Sequence, residues 1–284
     1  MHENLEKVVP PEEELDLQEY TALYEGMEFI DDVTGLELDK STAVKARQTE
    51  MNYFKERGVY TKEPRRADMK VISTRWLDVN KGDDVKKDYR ARLVGRELNL
   101  SKRNDLFAAT PPLESLRAIL SIAAGRQSSP SAKRRFIVMS NDVKRAYFYA
   151  PATRAVYIDI PPEDFESGDE GRVGKLNLSL YGTRDAAMNW AEHYTKVLRK
   201  NGFTVGRASP CNFYHEAKEV SLTVHGDDFT SCGPEDSLQW LDGVLRAEFE
   251  LKTELLGPDK QRHVQEVRIL NRVVRWDANG LIYE

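Results

Sequence analysis

Val220-Ser221-Leu222-Thr223-Val224-His225-Gly226-Asp227-Asp228-Phe229-Thr230-Ser231-Cys232 is the stretch on which the reading of this chain turns. An apolar, β-branched run over 220–224 meets a His-Gly-Asp-Asp turn and returns from Phe229 to Cys232. That pattern predicts an antiparallel hairpin with paired carboxylates at its tip. Gly-Asp-Asp is also ordinary turn chemistry, so the hairpin alone assigns no function. A second apolar run of strand length, Phe136 to Val143, carries the carboxylate of Asp142 where the chain stops being apolar. Asp142 and Asp227 lie 85 residues apart in sequence, and adjacent strands would bring them together. Clustered carboxylates raise one another's pKa unless a cation neutralises them, and hard oxygen donors select Mg²⁺ or Mn²⁺. Two such ions about 3.5–4 Å apart suit nucleotidyl transfer, activating a hydroxyl and stabilising a leaving pyrophosphate.

Outward from these strands, Gly182 to Lys200 places Ala186, Ala187, Trp190, Tyr194, Val197 and Leu198 on one helical face, with Gly202 as its stop. Trp190 and Tyr194 fall on the apolar stripe and read as helix core. Leu113, Leu116, Leu120 and Ala123 recur at helical spacing up to Gly125, and Leu238 to Phe249 marks another helix. Short strands are expected at 157–160 and 176–180, and a longer one over 264–276, followed by a turn at 277–280. Ser41 to Gly58 reads as an amphipathic helix. Lys70 to Val79, a turn at Lys81-Gly82-Asp83-Asp84, and Tyr89 to Val94 read as a basic hairpin, with Arg90 and Arg92 leaving one strand face.

The chain has 284 residues, 40% apolar and 31% charged, with no apolar run near the roughly 20 residues that span a bilayer. No secretory or transit signal is visible, and Cys211 and Cys232 are expected to be free thiols. The net charge of −5 conceals a split. Residues 1–40 hold 13 acidic and 2 basic residues and read as a weakly ordered acidic leader or linker, whereas the rest carries a net +6. Residues 62–103 alone hold 13 Lys and Arg against 7 Asp and Glu, a field suited to a polyanion or simply to a solvated face. His193, His215, His225 and His263 have no zinc spacing with the cysteines, and no Gly-x-Ser-x-Gly or phosphate-loop pattern occurs.

In order and spacing, several motifs resemble the reverse transcriptase domain of copia-type LTR retrotransposon Pol polyproteins, over about residues 41–284. They are Asp142-Val143-Lys144-Arg145-Ala146-Tyr147-Phe148, Ala155-Val156-Tyr157-Ile158, Leu180-Tyr181-Gly182-Thr183-Arg184-Asp185-Ala186 with Trp190, Ser209-Pro210-Cys211-Asn212-Phe213 and His225-Gly226-Asp227-Asp228. Thr74-Arg75-Trp76 and Tyr89-Arg90-Ala91-Arg92-Leu93-Val94 resemble that family's fingers hairpin. The resemblance implies an α+β, right-hand polymerase fold with fingers and palm, the thumb being missing or truncated where the chain ends inside a hairpin. It implies an RNA-directed DNA polymerase with catalytic Asp142, Asp227 and Asp228. Two Mg²⁺ or Mn²⁺ ions would be held by these residues and Val143. Tyr147 would act as a gate beneath the nucleotide sugar, or be a packing aromatic. Arg90, Arg92 and Asp185 would lie at the nucleotide, and Arg75, Lys81, Lys86 and Lys87 along the template. Its partners would be an RNA or DNA template with primer, dNTPs and other segments of a Pol polyprotein, with no membrane. Its place would be the cytoplasm or virus-like particles.

Three features depart from the family pattern. Asp185 stands where relatives carry Gln, an anion that would repel a triphosphate unless Arg184 or a metal offsets it. His225 replaces Tyr before the Asp pair, and the chain ends where a thumb would follow. The rival reading is a decayed or domesticated remnant that binds nucleic acid without polymerising.

Overall fold

The computed structural model describes residues 23–83, 85–98, 108–128, 135–278 and 280–284. Among them are four α-helices: α1 (Lys40–Arg57), α2 (Leu113–Ser128), α3 (Ala186–Lys200) and α4 (Glu235–Arg246). The strands are β1 (Tyr60–Pro64), β2 (Val71–Ile72), β3 (Thr74–Asn80), β4 (Tyr89–Gly95), β5 (Phe136–Val143), β6 (Tyr157–Ile158), β7 (Arg172–Leu176) and β8 (Thr204–Val205). They continue with β9 (Asn212–His215), β10 (Val220–His225), β11 (Asp228–Pro234), β12 (Leu251–Leu256), β13 (Glu266–Ile269), β14 (Arg272–Asp277) and β15 (Gly280–Tyr283). The chain divides into two compact units, residues 1–97 with 156–176 and residues 98–155 with 177–284.

In the first unit, α1 starts where the Asp39 carboxylate accepts from Thr42 N at 2.9 Å and stops at Gly58, whose φ of +59° is the left-handed cap. A four-stranded sheet runs β1-β7-β6-β2, and β3 pairs with β4 in a separate antiparallel hairpin. The leader reading does not hold for 23–39. Tyr24, Phe29 and Leu38 are buried with Ala43 and Val44 of α1, and Tyr89 packs against them. Asp31 accepts the Asn80 N–H at 2.7 Å and Asp32 the Asp78 N–H at 2.9 Å. Three apolar side chains to bury and backbone donors that need acceptors order a segment that its charge made look solvated. Residues 1–22 lie outside the described residues.

The second unit is built on a six-stranded antiparallel sheet, β12-β5-β11-β10-β9-β8, with a smaller sheet β13-β14-β15. β5 is an interior strand, next to the edge strand β12, and reads as a near-continuous apolar run because both its faces are covered. Ile137, Met139 and Val143 pack into a core with α3 and α4 residues such as Trp190, Leu198, Leu238 and Leu241. Phe136 and Val138 pack into a second core with Leu116 and Leu120 of α2 and Val267, Val274 and Trp276 of the small sheet.

Other elements differ from the sequence expectation. α2 continues through Gly125 to Ser128, since a mid-helix glycine weakens a helix without ending it. α3 begins at Ala186 rather than Gly182, and α4 ends at Arg246, before Phe249. The strand expected at 176–180 is instead β7, where Val173 and Leu176 are buried against the alternation of Arg172 and Lys175. The run 264–276 breaks at Leu270 and Asn271, whose φ values of +50° and +62° form a tight turn between β13 and β14. β12 was not anticipated.

Candidate active site

Three neighbouring strands change character along one face in step. Val138 of β5 is flanked by Cys232 of β11 and Leu256 of β12. Two residues on, Ser140 lies between Thr230 and Glu254, and two further on Asp142 lies between Asp228 and Lys252. Residues directly opposed across antiparallel strands leave the sheet on one side, with Cβ atoms about 4.5–5.5 Å apart. The face is therefore apolar where α2 and the small sheet cover it and charged where that cover ends. There a cleft of about 380 Å³ is lined by Ser140, Asp142, Asp228, Lys252 and Glu254, with Glu266, Val267 and Arg268 from β13.

The hairpin tip faces Asp142. Gly226 has φ +63° at the first central position of the two-residue turn joining β10 to β11, the conformation for which glycine is suited. The Val143 N–H donates to Asp227 O at 3.1 Å, and Trp190 Nε1 donates to Gly226 O at 2.8 Å. Burial raises the Asp228 pKa to about 6, with the negative charges of Asp227 and Asp142 adding to the rise and His225 opposing it. The electrostatics are those of a carboxylate group wanting a counter-cation.

Hard carboxylate oxygens on one face fit a divalent ion in chemistry and in register. Among the described residues, no group of three or more His, Cys, Asp or Glu side chains is gathered closely enough to hold a metal as they stand. Val143 is fully buried, backbone included, where it pairs with Leu251 of β12.

Tyr147 sits half-buried on a 3₁₀ turn, Ala146–Tyr149, packed partly on the core, with the Tyr181 ring 4.5 Å from its own. Asp185 requires a correction. Its side chain is only 3% exposed and is bound by Arg154 Nη2 at 2.8 Å and by Asn189 Nδ2 at 3.2 Å. Arg154, rather than Arg184 or a metal, offsets its charge, and it presents no carboxylate to a nucleotide.

In the first unit, Arg90 and Arg92 are exposed on the same face of β4, alternating with buried Ala91 and Leu93. Register places Arg75 on that face too, opposite Val94, where Asp32 lies 3.7 Å from its guanidinium. Lys81, Lys86 and Lys87 are exposed around the turn. The Asn80 Oδ1 accepts the Gly82 and Asp88 N–H groups, and the Asp83 carboxylate accepts those of Val85 and Lys86. Asp84 lies outside the described residues.

The motif reading missed Ser140, Lys252, Glu254, Glu266 and Arg268 of the cleft. The alternation Leu251-Lys252-Thr253-Glu254 was the available signal. Both cysteines are buried free thiols, and burial pushes Cys232 up to about 12. Among the described residues, no helix is long and apolar enough to cross a membrane.

A family model described as reverse transcriptase (RNA-dependent DNA polymerase) matches residues 58–261, and the chain belongs to that family. It is similar to the retrovirus-related Pol polyprotein from transposon TNT 1-94 of Nicotiana tabacum, with 28% identity over 233 residues. That match takes in 78% of this chain and 17% of the polyprotein, so the chain spans only a small part of its relative. The copia-type resemblance of the motifs is borne out by these two matches. Among solved structures, a foamy viral protease-reverse transcriptase in complex with double-stranded DNA aligns with TM-score 0.46 and 13% identity, over 81% of this chain and 33% of that one. A prototype foamy virus protease-reverse transcriptase mutant aligns with TM-score 0.47 and 16% identity, over 86% and 27%.

Proposed function

We propose that this chain is the polymerase portion of a copia-type Pol polyprotein, an RNA-directed DNA polymerase that extends a primer on an RNA or DNA template. The observation that carries the reading is the pairing of Asp142 with Asp228 across β5 and β11, with Asp227 in the turn beside them. In this reading the six-stranded sheet and its helices are the palm and the β3–β4 hairpin belongs to the fingers.

Asp142, Asp227 and Asp228 would hold two Mg²⁺ or Mn²⁺ ions, which when bound neutralise charge at the attacking hydroxyl and the leaving phosphate. The protein's own part is placement. Its carboxylates orient the primer 3′-hydroxyl toward the α-phosphorus of a dNTP. A P–O bond forms between the 3′-oxygen and the α-phosphorus as the bond to the bridging oxygen of the β-phosphate breaks, pyrophosphate leaves and the hydroxyl proton passes to solvent water. Tyr147 supplies a flat wall for the sugar. Arg90 and Arg92 offer guanidinium forks to phosphate, and Arg75, Lys81, Lys86 and Lys87 give salt-sensitive affinity for a nucleic-acid backbone.

The unconverged carboxylates favour a second reading, a remnant that binds nucleic acid without extending it. Primer extension on poly(rA) with Mg²⁺, run beside Asp227→Asn, separates the two. Extension by the wild type that the substitution abolishes supports the polymerase. Salt-dependent binding with no extension from either protein supports the remnant and removes the catalytic assignment.

A further inference from the structure

Trp190 is 1% exposed on α3, yet it does more than fill the core. Its ring lies among Phe249, Tyr194 and Phe229, with centroids 5.1, 5.4 and 6.2 Å away, and its Nε1–H reaches out of that cluster to the Gly226 carbonyl at 2.8 Å. Gly226 itself is exposed at the turn. On the other side of Asp227, the next carbonyl accepts the Val143 N–H at 3.1 Å.

The two peptide planes that flank Asp227 are thus each held by a hydrogen bond, one from the helix and one from the neighbouring strand. Each peptide unit is planar and rigid, so fixing both planes fixes φ and ψ of the residue between them and hence the direction in which its Cβ leaves the backbone. The geometry points to Trp190 as a positioning residue that aims the Asp227 carboxylate through the Gly226 carbonyl. This rests on the polymerase reading, in which Asp227 ligates a divalent ion. By linkage, a carboxylate held in place binds the ion more tightly, and the bound ion in turn tightens the indole hydrogen bond. The sequence shows Trp190 as an apolar stripe position and a motif residue but not its polar contact, which is made across 36 residues.

The test titrates Mn²⁺ alone into the protein, read by electron paramagnetic resonance, and compares wild type, Trp190→Phe and Phe249→Leu. Phe249→Leu removes a core ring without touching the hydrogen bond and serves as the packing control. Trp190→Phe is expected to weaken Mn²⁺ binding about threefold to tenfold, the scale of one neutral hydrogen bond, and to raise by a similar factor the Mg²⁺ needed for half-maximal extension. Phe249→Leu is expected to lower Tm comparably and leave Mn²⁺ affinity within about twofold. Equal Mn²⁺ affinity in wild type and Trp190→Phe overturns the inference, as does an equal loss in Phe249→Leu. Should Trp190→Phe fail to fold, the wild type decides: Mg²⁺ should slow deuterium exchange at the Trp190 indole N–H, and unchanged exchange overturns the inference. A wild type that extends primers while these comparisons show no difference removes only the role of Trp190. A wild type that neither binds Mn²⁺ nor extends removes the polymerase reading and this role with it.

Discussion

Among the described hairpins, β10–β11 and β3–β4 both have charged turns, and the two are built on opposite principles. The β10–β11 hairpin lies inside a six-stranded sheet and closes in two residues, with its tip tied to α3 by Trp190 and to β5 by Val143. The β3–β4 hairpin stands apart as a two-stranded ribbon and closes through a longer turn. Asn80 and Asp83 side chains do the work there that neighbouring strands do in the other. The acidic turn is held in place by the rest of its unit, whereas the basic turn is held by its own Asn80 and Asp83 side chains, with Asp31 binding only at its base. A fixed carboxylate suits chemistry that needs an atom in one position, and a self-contained exposed turn suits salt-dependent contact with a polyanion.

The widest separation between the two hairpins is expected from Asp142→Asn. Primer extension should fall by at least about 10²–10³-fold, the scale of removing one preorganised charge-stabilising group, while nucleic-acid affinity in a filter-binding assay changes little. A comparable fall in binding would erase the distinction between the two turns.

A pair of glycine substitutions sharpens the structural contrast. A Cβ on Gly82 would meet the Lys86 carbonyl oxygen at 1.9 Å, so Gly82→Ala forces the basic turn to shift, and chemical denaturation should show a loss of about 1–3 kcal/mol. Gly226 has open space around its Cα but a φ of +63°, so Gly226→Ala meets only backbone strain, about 1–2 kcal/mol. A smaller loss at Gly82 than at Gly226 would contradict this account of the two turns.

Protonation distinguishes them next. Asp228 has its pKa raised to about 6 in the folded protein by burial first and then by Asp227 and Asp142, against about 3.9 for a free side chain. The metal-free folded state therefore binds more protons than the unfolded state across that interval, and its stability falls as pH rises from about 4 through 6. Asp228→Asn removes this fall. Its Tm without metal at pH 7.5 should exceed the wild type by about 2–4 °C, and the gap should close below about pH 4. In the basic hairpin, Asp83 has its carboxyl held low by the Lys86 and Val85 N–H groups, so Asp83→Asn should show no such gain.

The smallest effect belongs to the exposed lysines. Removing Lys86 and Lys87 together should reduce the slope of log affinity against log salt by about 1 per lysine, with extension at saturating template unchanged. An unchanged slope would place the polyanion elsewhere.

Much of this was legible from residue order. Asp142 stands out because an apolar strand buried on both faces stops abruptly, and Asp227-Asp228 because a glycine turn interrupts a β-branched run. The helix bearing Trp190 has an unbroken apolar stripe, and both hairpins announce themselves by their turns. What could not be read depends on contacts distant in sequence. β12 is an edge strand whose Lys252 and Glu254 face the cleft, so half of it looks like loop. Asp185 looked like an exposed anion because Arg154, its half-buried partner, lies 31 residues earlier. The 23–39 segment looked solvated by charge, although Asp31 and Asp32 bind the backbone of a strand more than 40 residues away. In each case the local composition was polar and the burial came from tertiary packing.

The most direct measurement is a crystal structure of the protein with primer, template and Mn²⁺, using the anomalous signal of the metal. Mn²⁺ is expected in the cleft, coordinated by Asp142 together with Asp227 or Asp228. Manganese bound elsewhere, with the Asp227 and Asp228 carboxylates turned away from Asp142, would contradict the polymerase reading.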